Sequence, residues 1–143
     1  MNNDTVNLLK ECNAGIKMGV NSIDSVLPYV KSKDMKSALN ACKDEHAKLG
    51  DKTHGMLSRE DKATKDPHPF ARVMSDITTR SKMIFDRSDA SIASIMTDGC
   101  NMGVKSLRRY MNRYEDASDE AKNVAEQLIE TEINLIESLK SYL

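Results

Sequence analysis

The sequence predicts an all-α fold, a four-helix bundle made of two helical hairpins joined by a short connector helix. Three observations carry this. Every apolar repeat of useful length has a helical period. No stretch alternates with period two, and no Asn-Gly or Asp-Gly turn separates two apolar runs, because Asp98-Gly99 interrupts a helical stripe. One long polar stretch, SREDKATKDPHP, divides the chain into two pairs of stripes.

The first stripe follows a cap at Asp4 or Thr5 and carries Val6, Leu9, Cys12, Ile16, Val20, Ile23, Leu27 and Val30, with Asn13 as a polar intruder. Gly15 and Gly19 lower its intrinsic helicity, so packing has to stabilise it. Pro28 should kink or end it near its last turn. After Lys31-Ser32-Lys33-Asp34 a second stripe runs Met35, Ala38, Leu39, Cys42, His46, Leu49, Thr53, Met56 and Leu57. So short a connection implies an antiparallel hairpin.

Helical spacing resumes at Phe70 and stays in phase to Tyr114. A single helix of that length would span about 65 Å, against about 40 Å for each of the first two. The polar run Asp86-Arg87-Ser88-Asp89 is therefore the expected break, with Ser88 as the new cap. The connector loop and short helix then occupy about residues 58–87. The last helix is capped by Ser118, with Asp119 and Glu120 in a first turn where the helix dipole favours acids.

At 143 residues the chain fits one domain, residues 1–143, with its own core. Charged residues make up 30%, the net charge is −1, and no long block of one sign stands out. That balance argues against nucleic-acid or anionic-membrane partners. The opening MNNDTVNLLKEC has no basic, apolar leader, and no run approaches the roughly 18–20 apolar residues that span a bilayer, so the expected location is cytoplasmic. Cys12, Cys42 and Cys100 are widely spaced and form no CxxC pair, so they read as reduced thiols. Nine methionines, no tryptophan and 4% aromatics make a core of adaptable filler with few rigid anchors.

The stretches NLLKECNAGIKMGVNSI, LNACKDEHAKLGDKTHGML, GVKSLRRYMNRY and AEQLIETEINLIESL, in the order hairpin, proline-bearing loop, connector and second hairpin, resemble the ferritin-like superfamily. More narrowly they are similar to bacterial ferritin-like bundles classed as domains of unknown function. Gly103, with Tyr110 seven residues on and a capped amphipathic helix after it, is similar to that family's second hairpin. Metal-binding relatives place a Glu on each of two helices and a Glu-x-x-His on each of the other two. This chain departs from that pattern. Glu11 projects almost opposite the Ile16 stripe and should face water, while Glu45 and His46 are adjacent and residue 48 is Lys48. No Glu occurs from Ala63 to Tyr114, and the last helix has no His. A standard dimetal centre cannot be assembled, which removes ferroxidase and di-iron oxygenase chemistry and leaves no catalytic residue to name.

What remains is a polar layer inside the predicted bundle. Glu132 falls at the centre of the arc formed by Leu128, Leu135, Leu139, Ala125 and Leu143, where an unpaired carboxylate is costly. His46 points near the centre of its own apolar face, and both lie about 15 residues from their hairpin turns, at mid-height. Glu45 flanks His46, Asn13 lies at a neighbouring level, and Gly99, Met102, Gly103 and Ser106 leave room opposite. The plainer expectation is a His46–Glu132 pair that satisfies two buried groups and fixes helix register. The alternative is a single zinc, iron or manganese ion held by His46 and Glu132 with Glu45 or Asn13.

Other polar residues read as surface. His54 lies at the edge of its face, His68 sits between Pro67 and Pro69, and Lys105, Arg108, Arg109 and Arg113 form a basic helix end beside Tyr110 and Tyr114. No phosphate loop, nucleophile elbow or triad pattern occurs. The expected function is a non-enzymatic bundle without a cofactor, acting by self-association as a dimer or by contact with another protein. A small-molecule carrier would require a sizeable cavity beside Gly99 and Gly103.

Overall fold

A computed structural model of the chain describes residues 1–59 and 87–143. The predicted connector, and His68 with it, lies almost wholly outside the described residues. Helix α1 spans Asn3–Val26, α2 Lys33–Arg59, α3 Asp89–Arg113 and α4 Asp119–Leu139, and there is no strand among the described residues.

The caps follow the sequence with one correction. Ser88 accepts from the Ser91 amide and Ser118 from the Ala121 amide, as predicted. At the first helix the cap is Asn2, whose Oδ1 accepts from the Thr5 amide at 2.8 Å, and the helix starts before Asp4. Asp4 and Thr5 reach across the bundle instead. Asp4 Oδ2 accepts from the Asp116 amide at 3.1 Å, and Thr5 Oγ1 accepts from the Ser118 amide at 2.8 Å. Pro28 acts as expected, because the α-helix gives way at Leu27–Tyr29 to a 3-10 turn. A second such turn, Lys140–Tyr142, follows α4.

Packing shows how the helices are arranged. The first half of α1, the end of α2, the end of α3 and the start of α4 share one apolar cluster, including Leu8, Leu9, Met56, Leu57, Leu107 and Leu128. The end of α1, the start of α2, the start of α3 and the end of α4 share another, including Ile23, Met35, Leu39, Ile92 and Leu139. Helices α1 and α4 therefore run one way and α2 and α3 the other. The end of α2 and the start of α3 lie at opposite ends of the bundle. Within the four, α1 and α4 touch each other and both remaining helices, while α2 and α3 occupy the far corners.

Side chains cross-link both ends. At one, Asn2 Nδ2 donates to the Asp116 carbonyl at 2.8 Å beside the Asp4 and Thr5 bonds. At the other, the Asp89 carboxylate accepts from the Lys31 and Ser32 amides at 2.8 and 2.9 Å, capping the first hairpin from the second. Asp89→Ala should lower stability by about 1–2 kcal/mol, the scale of losing a helix cap. Urea unfolding with an unchanged m-value would measure it.

Candidate functional site

Between the two apolar clusters the bundle has a polar waist. His46, on α2, is 1% exposed, and its Nε2 donates to Glu132 Oε1 on α4 at 2.7 Å. Its Nδ1 donates to the Cys42 carbonyl one turn back at 2.8 Å, with Cys42 Sγ 3.5 Å from the same nitrogen. Both partners of the ring are acceptors, so the arrangement calls for two N–H donors, which only the imidazolium carries. Burial alone would push the imidazolium's pKa down. The hydrogen bonds to Cys42 and Glu132, and the charge of Glu132, outweigh burial and hold it up at about 10.

Two more residues complete the waist. The Cys100 thiol, on α3, is hydrogen-bonded to Glu132, and burial together with that carboxylate raises its pKa far above the ordinary thiol range. Gly19, on α1, makes room for the imidazole. A Cβ there would stand 2.7 Å from His46 Nε2 and 2.8 Å from Cδ2, so any side chain displaces the ring. At Gly103 a Cβ would meet the Glu132 carboxyl at 3.7 Å, an ordinary contact. The layer thus draws on all four helices.

Not every predicted member joins it. Glu45 is exposed and bonded to Lys48 at 3.1 Å, pointing away from His46. Asn13 lies in a different layer, where its Oδ1 accepts from Thr53 Oγ1 at 3.4 Å; its buried Nδ2 has no partner among the described residues. Glu11 corrects the sequence reading. It is 6% exposed and hydrogen-bonded to Tyr110, because α1 buries a second line through Leu8, Glu11 and Met18 besides the Ile16 stripe. Burial and the neighbouring Glu11 raise the Tyr110 hydroxyl to about 12, and the same two causes raise Cys12 to about 12. His54 is exposed, as predicted.

Sequence reasoning passed over Cys100, although it stands four residues after Met96 and three before Gly103, on the buried line of its helix. It could not foresee Gly19 against His46, which depends on how closely two helices approach.

A cavity of about 50 Å³ lies against the waist, lined among others by Gly15, Gly19, Gly99, Gly103, His46 and Glu132. That space suits a few waters and falls well short of the roughly 300 Å³ at which ligand pockets begin. No ion fits between His46 and Glu132 as they stand. Nitrogen and oxygen ligands of one tetrahedral ion lie about 3.4 Å apart, against the 2.7 Å seen here. Among the described residues no group of three or more His, Cys, Asp or Glu side chains is arranged to hold a metal. No described helix is long and apolar enough to cross a membrane.

No family model matches the chain. No curated protein matches it either. Among solved structures it is similar to a DUF305 fragment from Deinococcus radiodurans, at 13% identity over 98% of this chain and 95% of that one, with a TM-score of 0.77. What the two chains share is the fold. The likeness supports an all-helical bundle, and at that identity it says nothing about activity.

His46→Leu should lower stability by a few kcal/mol, because it takes the cation from the largely buried Glu132 carboxylate and leaves it only the Cys100 thiol as a donor. His46→Leu combined with Glu132→Leu should recover much of the loss; a double variant as unstable as the single one would contradict the pairing. The pair also sets a pH dependence. The folded-state value of His46 lies above the ordinary 6.5, so its stabilisation is complete below pH 6.5 and is lost as pH rises towards 10. Thermal unfolding across that window should show a decline in the native chain that the double variant lacks.

Proposed function

We propose that this chain is a non-enzymatic, ferritin-like bundle that acts by self-association, in the reducing cytoplasm of a bacterium. The observation that carries the reading is the closed state of its interior. General-base catalysis needs a group free to take a proton, and nucleophilic catalysis by sulfur needs a thiolate. His46 keeps its proton to about pH 10 with both N–H groups engaged. Burial holds Cys12 and Cys100 as thiols. The waist then serves register, and the working surface is the outside of the bundle. The three buried free cysteines agree with a reducing compartment.

A second reading follows from the same contact. His46 and Glu132 bring nitrogen and oxygen donors from two helices together, with the Cys100 thiol bonded to the same carboxylate. A single zinc, iron or manganese ion would have to displace the imidazolium proton and part the pair.

Sedimentation equilibrium of the full chain over a wide concentration range tests the first reading. The expected mass rises above the 16.0 kDa of one chain. A value fixed at one chain throughout overturns it. Elemental analysis of protein purified without chelator tests the second reading. Metal at one ion per chain, lost in His46→Ala and Glu132→Gln, would establish the ion, and equal content in all three sinks it.

A further inference from the structure

The two hairpins carry one repeated segment. Gly15-Ile16-Lys17-Met18-Gly19-Val20-Asn21-Ser22-Ile23 on α1 and Gly99-Cys100-Asn101-Met102-Gly103-Val104-Lys105-Ser106-Leu107 on α3 share the pattern Gly-x-x-Met-Gly-Val-x-Ser, closed by Ile or Leu. Helix starts keep the same spacing, 30 residues from Asn3 to Lys33 and 30 from Asp89 to Asp119. The later glycine of each repeat lies against a side chain from the other helix of its own hairpin. A Cβ on Gly19 would meet His46, and one on Gly103 would meet Glu132. The ties at the two ends are reciprocal as well. The first turn of α3 supplies Asp89 to the turn between α1 and α2, and the first turn of α1 supplies Asp4 and Thr5 to the turn between α3 and α4. The cavity at the waist has matched walls, because Gly15, Gly19 and Ser22 and their counterparts Gly99, Gly103 and Ser106 all line it.

We infer that the chain is two equivalent hairpins in tandem, related by a two-fold axis that crosses the His46–Glu132 hydrogen bond, so that 46 and 132 are one position filled twice. Contacts in which one unit gives the other what it receives in return are the mark of a two-fold interface. The helix directions agree, since an axis perpendicular to the bundle carries α1 onto the oppositely running α3, and α2 onto α4. A position on such an axis meets its own counterpart. Identical residues there would set imidazolium against imidazolium or carboxylate against carboxylate, which a buried site penalises. One acid and one base remove the conflict, and the pair thereby selects the unlike hairpin as partner. Exchanging the two is then compatible with the fold. A ring at position 132 would lie against the bare backbone of Gly103 and donate to the Leu128 carbonyl one turn back, as His46 does to Cys42. One donor has no counterpart. Ile16 stands where the second repeat has Cys100, so a carboxylate at position 46 gains no thiol. The inference is independent of self-association, because both units belong to one chain.

Thermal unfolding of the full chain tests it, with circular dichroism to confirm that each variant folds. His46→Glu and Glu132→His, each alone, set like against like and should lower the midpoint by about 10 °C. Both changes together should return it to within about 5 °C of native, the remainder reflecting the missing thiol. The glycines then report the axis. In the native chain Gly19→Ala should lower the midpoint more than Gly103→Ala, because the ring crowds Gly19. In the exchanged chain the order should reverse, because the ring then lies against Gly103. Helix propensity favours both alanines alike and drops out of the comparison. An exchanged chain that does not fold, or is no more stable than the weaker single variant, overturns the inference. Recovery with Gly19 still the more sensitive glycine overturns it too, since the pair would then re-form without the hairpins being equivalent.

Discussion

The hydrogen bond from His46 to Glu132 is the constraint on which the rest of the bundle depends. Apolar packing is tolerant of sliding, because one Leu or Met contact substitutes for another at similar free energy. With Met18, Met35, Met56 and Met96 buried among the described residues and no tryptophan in the chain, this core has few shapes that fit only one way. A buried imidazolium is different, since it has one partner that can accept its Nε2–H. Sliding α2 past α4 by one helical turn, about 5.4 Å, would break the bond and strand the imidazolium in an apolar interior. The pair sits between the two apolar clusters, so fixing its level aligns both halves at once.

Much of this was legible in the sequence. The helical stripes follow from period, the start of α3 follows from helix length and the polar run Asp86-Arg87-Ser88-Asp89, and Ser88 and Ser118 announce two of the starts. The waist was legible because Glu132 and His46 each break an apolar stripe at its centre, and counting from the turns places them level. Glu11 was misplaced for a physical reason. Periodicity reports the strongest apolar line, and α1 has two, since it touches all three other helices. Asn13, expected at a neighbouring level and as an alternative ligand, does sit away from His46. How far was not legible, because the sequence gives rotation about a helix far better than the relative height of two helices. The actual partner of Asn13, Thr53, lies seven residues beyond His46, about 10 Å along α2. Glu45 shows a further limit. A flanking position on the wheel is compatible with facing in or out, and Lys48 one turn on gives its carboxylate a partner at the surface.

The waist is also a chain of thiols and charges, running Cys42, His46, Glu132, Cys100 across three helices. Its members are types that bind metals elsewhere, yet Cys42 and Glu132 sit at opposite nitrogens of one ring and so diverge. The same residue types serve here as mutual donors and acceptors. That the backbone arrangement closely follows a DUF305 fragment at 13% identity fits this picture. A bundle's path is set by periodicity and turn placement, which survive replacement of nearly every side chain.

The parallel run of α1 and α4 has an electrical consequence. Their amino ends emerge at the same pole of the molecule, and two aligned peptide dipoles there repel. Asp4, Asp119 and Glu120 occupy those first turns and offset the excess positive field. The carboxyl ends of α2 and α3 finish at the same pole, with Arg59 and Arg113 in their last turns. Amino and carboxyl poles therefore alternate around that rim, each met by a side chain of opposite sign. Along the bundle axis the four described helix dipoles therefore largely cancel.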